Sequence, residues 1–215
     1  MSQRGRLITI EGVDGAGKTT LAAGLQEALA ASGISVRLMR EPGGVETSEA
    51  VRALVKDPGL TVGPRAEALL YAAARAQPVE EALEPALADG EWVLLDRFVD
   101  SSLAYQGGGR ELGIEAVREL NRFATGGLTP DRTLLLTLDP ASAQARADAR
   151  GQAPDRLEQA GAEFFSRIAE AYRELAAAEP QRIRVLDAGS PPAEVVGQAL
   201  AALADLLPSS GQLPL

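Results

Sequence analysis

The chain contains no histidine and no cysteine. Without histidine it lacks the commonest general base and the commonest transition-metal ligand. Any catalysis must rest on carboxylates, arginines, lysine, backbone N–H groups and bound ions. Phosphoryl transfer is a reaction for which that set suffices, because it depends mainly on positioning and on offsetting charge. Without cysteine there are no disulfides and no thiol chemistry, which fits a cytoplasmic protein. Apolar runs fall far short of the roughly 20 residues that a bilayer span needs, so no membrane association is expected. The start, Met1-Ser2-Gln3-Arg4-Gly5-Arg6, runs directly into a strand-like segment, and a signal peptide is not expected. Lysine is scarce too: of 21 basic residues, only Lys18 and Lys56 are lysines. Genome composition would explain that bias by itself. Yet a lysine retained at position 18 suggests a site where a compact ammonium serves better than a planar guanidinium. The formal net charge of −9 repels a nucleic-acid backbone, so non-specific DNA or RNA binding is not expected.

What is present begins with Gly12-Val13-Asp14-Gly15-Ala16-Gly17-Lys18-Thr19. This is a GxxxxGK[ST] phosphate-binding loop. It follows an apolar run, Leu7-Ile8-Thr9-Ile10, and opens a helix-like stretch. In that setting glycines let successive N–H groups converge on one point, and the helix N-terminus adds partial positive charge. The lysine reaches the outer phosphates, and the threonine hydroxyl sits where magnesium needs a ligand.

With 215 residues the chain is long enough for one α/β domain with a proper core. Short, mostly apolar runs predict strands at Leu7–Ile10, Ser35–Met39, Trp92–Leu95, Thr133–Leu138 and Ile183–Leu186, each expected to be buried on both faces. Helices are predicted at Leu21–Ala31, Glu46–Val55, Arg65–Ala88, Ile114–Thr125, Ala141–Ala149, Ala160–Ala178 and Ala193–Leu206. The alternation implies an α/β fold with a five-stranded parallel sheet and helices on both faces. Pro78 and Pro85 predict a kink or break within Arg65–Ala88. Residues 208–215 read as a loose tail.

Ligands collect at the carboxyl ends of parallel strands. After the third strand come Asp96 and Arg97: a carboxylate able to hold magnesium through water, and a guanidinium able to clamp phosphate, or else an ordinary surface ion pair. After the second come Arg40-Glu41-Pro42-Gly43-Gly44, either a plain turn or an acceptor-side loop with Arg40 facing an anion. Tyr71 and Arg75 share a helix face. They could stack on a base and bond its edge, though the spacing alone favours core packing with a rim arginine. The segment Ser101-Ser102-Leu103-Ala104-Tyr105-Gln106-Gly107-Gly108-Gly109-Arg110 reads as a polar helical turn closed by glycines. It is either a flexible loop or a way to present a hydroxyl and an amide. Arg146, Arg150 and Arg156 bracket Gly151-Gln152-Ala153-Pro154, a solvated corner or a flap that could close over phosphates.

In this order the motifs GVDGAGKTT, REPGG, the aromatic-AAAR helix, DRF, SSLAYQGGGR and RGQAPDRLE resemble those of the bacterial type of thymidylate kinase, over nearly the whole chain. The resemblance implies a P-loop kinase fold: one domain over residues 1–207 with a small lid near 146–157. It implies transfer of the γ-phosphoryl of ATP to dTMP with Mg2+, in a homodimer. By that resemblance Gly12, Val13, Asp14, Gly15, Ala16, Gly17, Lys18, Thr19 and Thr20 would bind ATP, with Arg146, Arg150 and Arg156 in a lid over it. Thr19 and Asp96 would serve the metal. Asp14, Arg40, Arg52, Tyr71, Arg75, Arg97, Ser102 and Gln106 would surround dTMP. Lys18, Arg97, Asp14 and Arg150 would act in catalysis. Some relatives carry a basic residue in the loop where this chain has Gly15, so the catalytic charge would come from a lid arginine.

The attacking group would be a phosphate oxygen, whose second pKa of about 6 leaves it largely ionised at neutral pH. No strong general base is then required. Two other classes compete: another nucleotide kinase of the same fold, and a nucleotide-driven switch or binding module. An [NT]KxD segment, which would favour a guanine-reading switch, is not present. An interaction domain has only the acidic surface in its favour.

Overall fold

The apolar runs become five parallel strands: β1 (Leu7–Glu11), β2 (Val36–Arg40), β3 (Trp92–Asp96), β4 (Arg132–Thr137) and β5 (Ile183–Asp187). The computed structural model describes residues 4–149 and 156–208. The strands form one sheet in the order β2-β3-β1-β4-β5. Leu7 pairs with Val93, Ile8 with Arg132, and Thr133 with Ile183. The helices are α1 (Lys18–Ala31), α2 (Glu46–Lys56), α3 (Pro64–Pro78), α4 (Glu84–Ala88), α5 (Val99–Ser102), α6 (Ile114–Ala124), α7 (Pro140–Asp148), α8 (Ala162–Ala178) and α9 (Pro192–Ala202).

Alternation along the strands sends side chains to two layers. Ile8, Ile10, Leu94, Leu134 and Leu136 pack on one face with Leu25 and Leu29 of α1 and Val195 and Ala199 of α9. Leu7, Val93 and Leu95 pack on the other with Val79, Leu83 and Leu87. Further along that second face, Leu135 and Ile183 meet Leu103, Ile168 and Leu175. The expected burial on both faces holds for the three inner strands. It fails for β2 and β5, which lie at the sheet edges: Leu38 is 40% and Val185 56% exposed. A polar seam crosses the second face. Thr9 Oγ1 lies 2.8 Å from Thr133 Oγ1, and Thr133 donates to Asp100 at 2.9 Å. Arg182 donates to both Asp100 oxygens, at 2.7 and 2.9 Å.

The predicted break in the long helix takes a specific form. After Pro78 the backbone widens into a π-helical stretch, Val79–Leu83, before α4 begins. The missing N–H of proline removes one α-helical bond, which accounts for the local change. The flexible-loop alternative for the glycine-rich segment does not hold. Leu103–Gly109 continues α5 as a buried π-helix. Its glycines permit close approach rather than freedom: a Cβ on Gly108 would lie 2.6 Å from that of Ala171 in α8.

Candidate active site

β1 and β3 end side by side, and the chain leaves them in different directions at the switch of strand order. That crevice holds a cavity of about 700 Å³. The phosphate loop forms one wall. Gly12 takes φ 137°, and a Cβ there would lie 2.6 Å from the Leu136 carbonyl oxygen, so only glycine fits. Gly17, with φ 96°, is the N-cap of α1, and Lys18 starts the helix.

Lys18 folds back over this loop. Its Nζ donates to the carbonyls of Gly12 at 3.1 Å and Val13 at 3.0 Å. Burial pushes its ammonium down to about 8, and Arg97 adds to that push while Asp14 opposes it. Arg97, at the end of β3, sits in the left-handed region with φ 72°. Its Nη2 donates to Asp14 at 2.8 Å and to the Tyr105 hydroxyl at 3.3 Å, and Nη1 donates to Ser101 at 3.1 Å. Burial raises the Asp14 carboxyl, but Arg97 and then Lys18 outweigh it, and the net pKa lies well below the usual range. Thr19 Oγ1 donates to Asp96 at 3.3 Å.

The opposite wall comes from α3 and the π-helical segment. Tyr71, Arg75, Ser102 and Gln106 all line the cavity. Arg75 is 2% exposed and almost fully engaged. It donates from Nε to Glu41 at 2.7 Å, from Nη1 to Ser102 at 2.9 Å and to Asn121, and from Nη2 to the Phe98 carbonyl at 2.9 Å. A guanidinium has five N–H groups, so one on Nη2 is left over among the described residues. Burial pushes the Glu41 carboxyl up to about 7 against the pull of Arg75. The Glu41–Pro42 peptide is cis.

Most sequence-predicted residues therefore meet around one cavity: residues 14–20, Arg40, Arg52, Tyr71, Arg75, Asp96, Arg97, Ser102, Gln106 and Arg146. Gly12 and Val13 stand just behind it, through their carbonyls on Lys18. Arg40 donates to Glu49 at 2.9 Å with its side chain 53% exposed, and Arg52 donates to the Pro42 carbonyl at 2.7 Å. Arg146 donates to the Ala188 carbonyl at 3.0 Å. Arg156 is not on the cavity. It reaches across to α2 and α3, donating to the Val55 carbonyl at 3.0 Å and pairing with Glu67 at 2.7 Å. Arg150 lies outside the described residues, as does most of the expected lid and the tail beyond residue 208.

Sequence reading missed the buried carboxylate of Glu11. It accepts from the Phe98 N–H at 2.8 Å, the Tyr172 hydroxyl at 2.9 Å and the Ser101 hydroxyl, so it pins the turn that carries Arg97. Burial raises its pKa, and Asp100 adds to that. Its place directly before Gly12 was a usable signal; nothing in the pattern marked Tyr172. Glu41 and Tyr105 stood inside the motifs without being read, and Glu67 stood outside them, two positions before Leu69.

Comparison with known proteins agrees with this geometry. A family model described as thymidylate kinase matches residues 10–199. A thymidylate kinase of Deinococcus radiodurans is 51% identical over 205 residues, covering 95% of this chain and 98% of its own. One from Halorhodospira halophila is 47% identical over 216 residues, covering 99% of this chain and 100% of its own. One from Bifidobacterium longum is 50% identical over 188 residues, covering 86% and 90%.

Proposed function

The chain belongs to the thymidylate kinase family, and on that premise we propose how its cavity carries out ATP-dependent phosphorylation of dTMP to dTDP, a step that serves dTTP synthesis. The observation that carries the assignment of residues is a facing pair. The phosphate loop stands on one wall, and an aromatic ring, a guanidinium, a hydroxyl and an amide stand on the other, with Arg97 between them.

In this reading residues 12–20 hold the ATP phosphates, and Lys18 leaves its carbonyl partners to meet the transferred phosphoryl. Tyr71 stacks on thymine, and Arg75, Ser102 and Gln106 bond the base edge. Arg40, Arg52 and Arg97 surround the acceptor phosphate, with Asp14 beside the deoxyribose. A phosphate oxygen of dTMP bonds to the γ-phosphorus as that phosphorus separates from the β-phosphate oxygen, giving dTDP and ADP. Lys18 and Arg97 align the two phosphates and offset the charge that builds between them. Arg146 and Arg150 close the donor side. Arg156 takes part only if it leaves Glu67.

Thr19 and Asp96 offer a hydroxyl and a carboxylate 3.3 Å apart at the foot of the loop. These hard oxygen donors suit Mg2+, which keeps several waters and leans on substrate phosphates. Held by Thr19 and Asp96, the ion would offset negative charge on the ATP phosphates.

The partners in this reading are ATP, dTMP and a second copy of the chain. Leu54 on α2, Leu69 on α3 and Phe123 on α6 are 48, 58 and 89% exposed, apolar side chains that a homodimer would cover. Among the described residues no helix is long and apolar enough to cross a membrane, and we place the enzyme in the cytoplasm.

The decisive experiment supplies ATP with a panel of nucleoside monophosphates and identifies the products. A preference for dGMP or AMP would overturn the substrate. Tyr71→Ala should weaken dTMP binding far more than ATP binding; equal losses would remove Tyr71 from the base site.

A further inference from the structure

Glu67 on α3 is fully buried, with 0% exposure. Its carboxylate pairs with Arg110 at 3.1 Å and Arg156 at 2.7 Å. It also accepts a hydrogen bond from Gln106 Nε2 at 3.0 Å. That third contact has a chemical consequence. A carboxylate paired with two guanidiniums offers only acceptors, whereas an amide donates from nitrogen and accepts at oxygen. Gln106 must therefore turn its NH2 toward Glu67. Its Oε1 is left for the cavity that Gln106 lines, and it receives no hydrogen bond among the described residues.

We propose that Glu67 is a positioning residue for base selection: it fixes the Gln106 amide so that an acceptor, not a donor, meets the substrate. The proposal rests on the reading of this cavity as the dTMP site. Thymine presents an N3–H donor beside the O4 acceptor. Cytosine presents a bare N3 acceptor beside an amino donor. The spare N–H of Arg75 matches O4, and Gln106 Oε1 matches N3–H. Cytosine would set acceptor against acceptor and donor against donor, leaving buried polar groups unpaired. A site built to hydrogen-bond discriminates most strongly by that means. A glutamine at position 67 could itself donate or accept, so the Gln106 amide would lose its fixed sense.

The test compares kcat/KM for dTMP and dCMP, at saturating ATP, in the wild type and in Glu67→Gln and Glu67→Asp. In Glu67→Gln the dTMP-to-dCMP ratio should fall about tenfold or more, chiefly through a higher KM for dTMP. Glu67→Asp keeps an acceptor-only group and should retain more of the ratio. Proportional losses on both substrates, or equal losses of the ratio in the two variants, would mark a purely structural role and overturn the proposal. Should Glu67→Gln fail to fold, Gln106→Met removes the amide that Glu67 orients. An undiminished ratio in that variant would overturn the proposal, and a similar fall would support it. A wild type that ignores dTMP would instead overturn the reading of the site, so the two failures are distinguishable.

Discussion

Lys18 and Arg97 are two cations that share one carboxylate, Asp14, at 3.9 and 2.8 Å. Burial and Arg97 hold Lys18 near 8, below its ordinary 10.5. The unfolded chain therefore binds more protons than the folded one between those values. Lys18 thus costs stability below about pH 8, and that cost is relieved as pH rises toward 10.5. Phosphates beside Lys18 should restore its pKa. ATP binding near pH 9 should then take up about one proton per site, and near pH 7 almost none. Calorimetry in buffers of different ionisation enthalpy reads this directly; uptake that does not change with pH would count against Lys18 as the phosphate ligand. Arg97 holds a left-handed backbone that costs about 1–3 kcal/mol, while its guanidinium ties Asp14, Ser101 and Tyr105 together. Arg97→Ala should lower kcat on the order of 100-fold, as loss of one preorganised charge does. A steady-state assay with the fold verified by circular dichroism tests it.

At the scale of elements, the π-helical stretch Leu103–Gly109 brings Tyr105 and Gln106 to the cavity. Leu103–Gly109 lies so close to α8 that Gly108→Ala would bring a Cβ within 2.6 Å of Ala171. Overpacking of that kind costs about 1–3 kcal/mol. Because the segment also carries Gln106, the KM for dTMP should rise while that for ATP holds. Urea unfolding and two substrate titrations would read both effects; equal shifts in the two KM values would count against this coupling. On the seam, Arg182 is the cation that answers buried Asp100. Arg182→Ala strands that carboxylate and should cost about 3 kcal/mol, measured by denaturant unfolding near neutral pH. A loss below about 1 kcal/mol would show that water reaches Asp100.

At the scale of the whole molecule, the exposed apolar residues Leu54, Leu69 and Phe123 stand on three helices, with α3 packed on both α2 and α6. In the proposed homodimer these side chains would be covered. If the proposed homodimer covers these residues, Leu69→Glu together with Phe123→Glu should shift the protein from dimer to monomer in sedimentation, since charge buried in an interface is costly. A wild type that sediments as a monomer would remove the dimer outright. Because α3 also carries Glu67, Tyr71 and Arg75, the double variant should raise the KM for dTMP as well.

Local pattern alone determined the parallel sheet, because buried strands read as short apolar runs and the helices between them leave no other pairing. It determined the phosphate loop as well, because that site is a contiguous backbone shape: glycines at 12, 15 and 17, then Lys18, between strand and helix. The DRF, REPGG and SSLAYQGGGR segments were legible as pieces. Only tertiary structure decided what those pieces do to one another. It paired Glu41 with Arg75 across 34 positions, set Glu11 beneath the turn of Arg97, and brought Tyr172 from α8 to the same carboxylate. It also put Arg156 on Glu67 rather than over the loop. The physical reason is that a backbone cradle is written in consecutive residues, whereas a buried carboxylate is specified by whichever donors the packed helices bring to it.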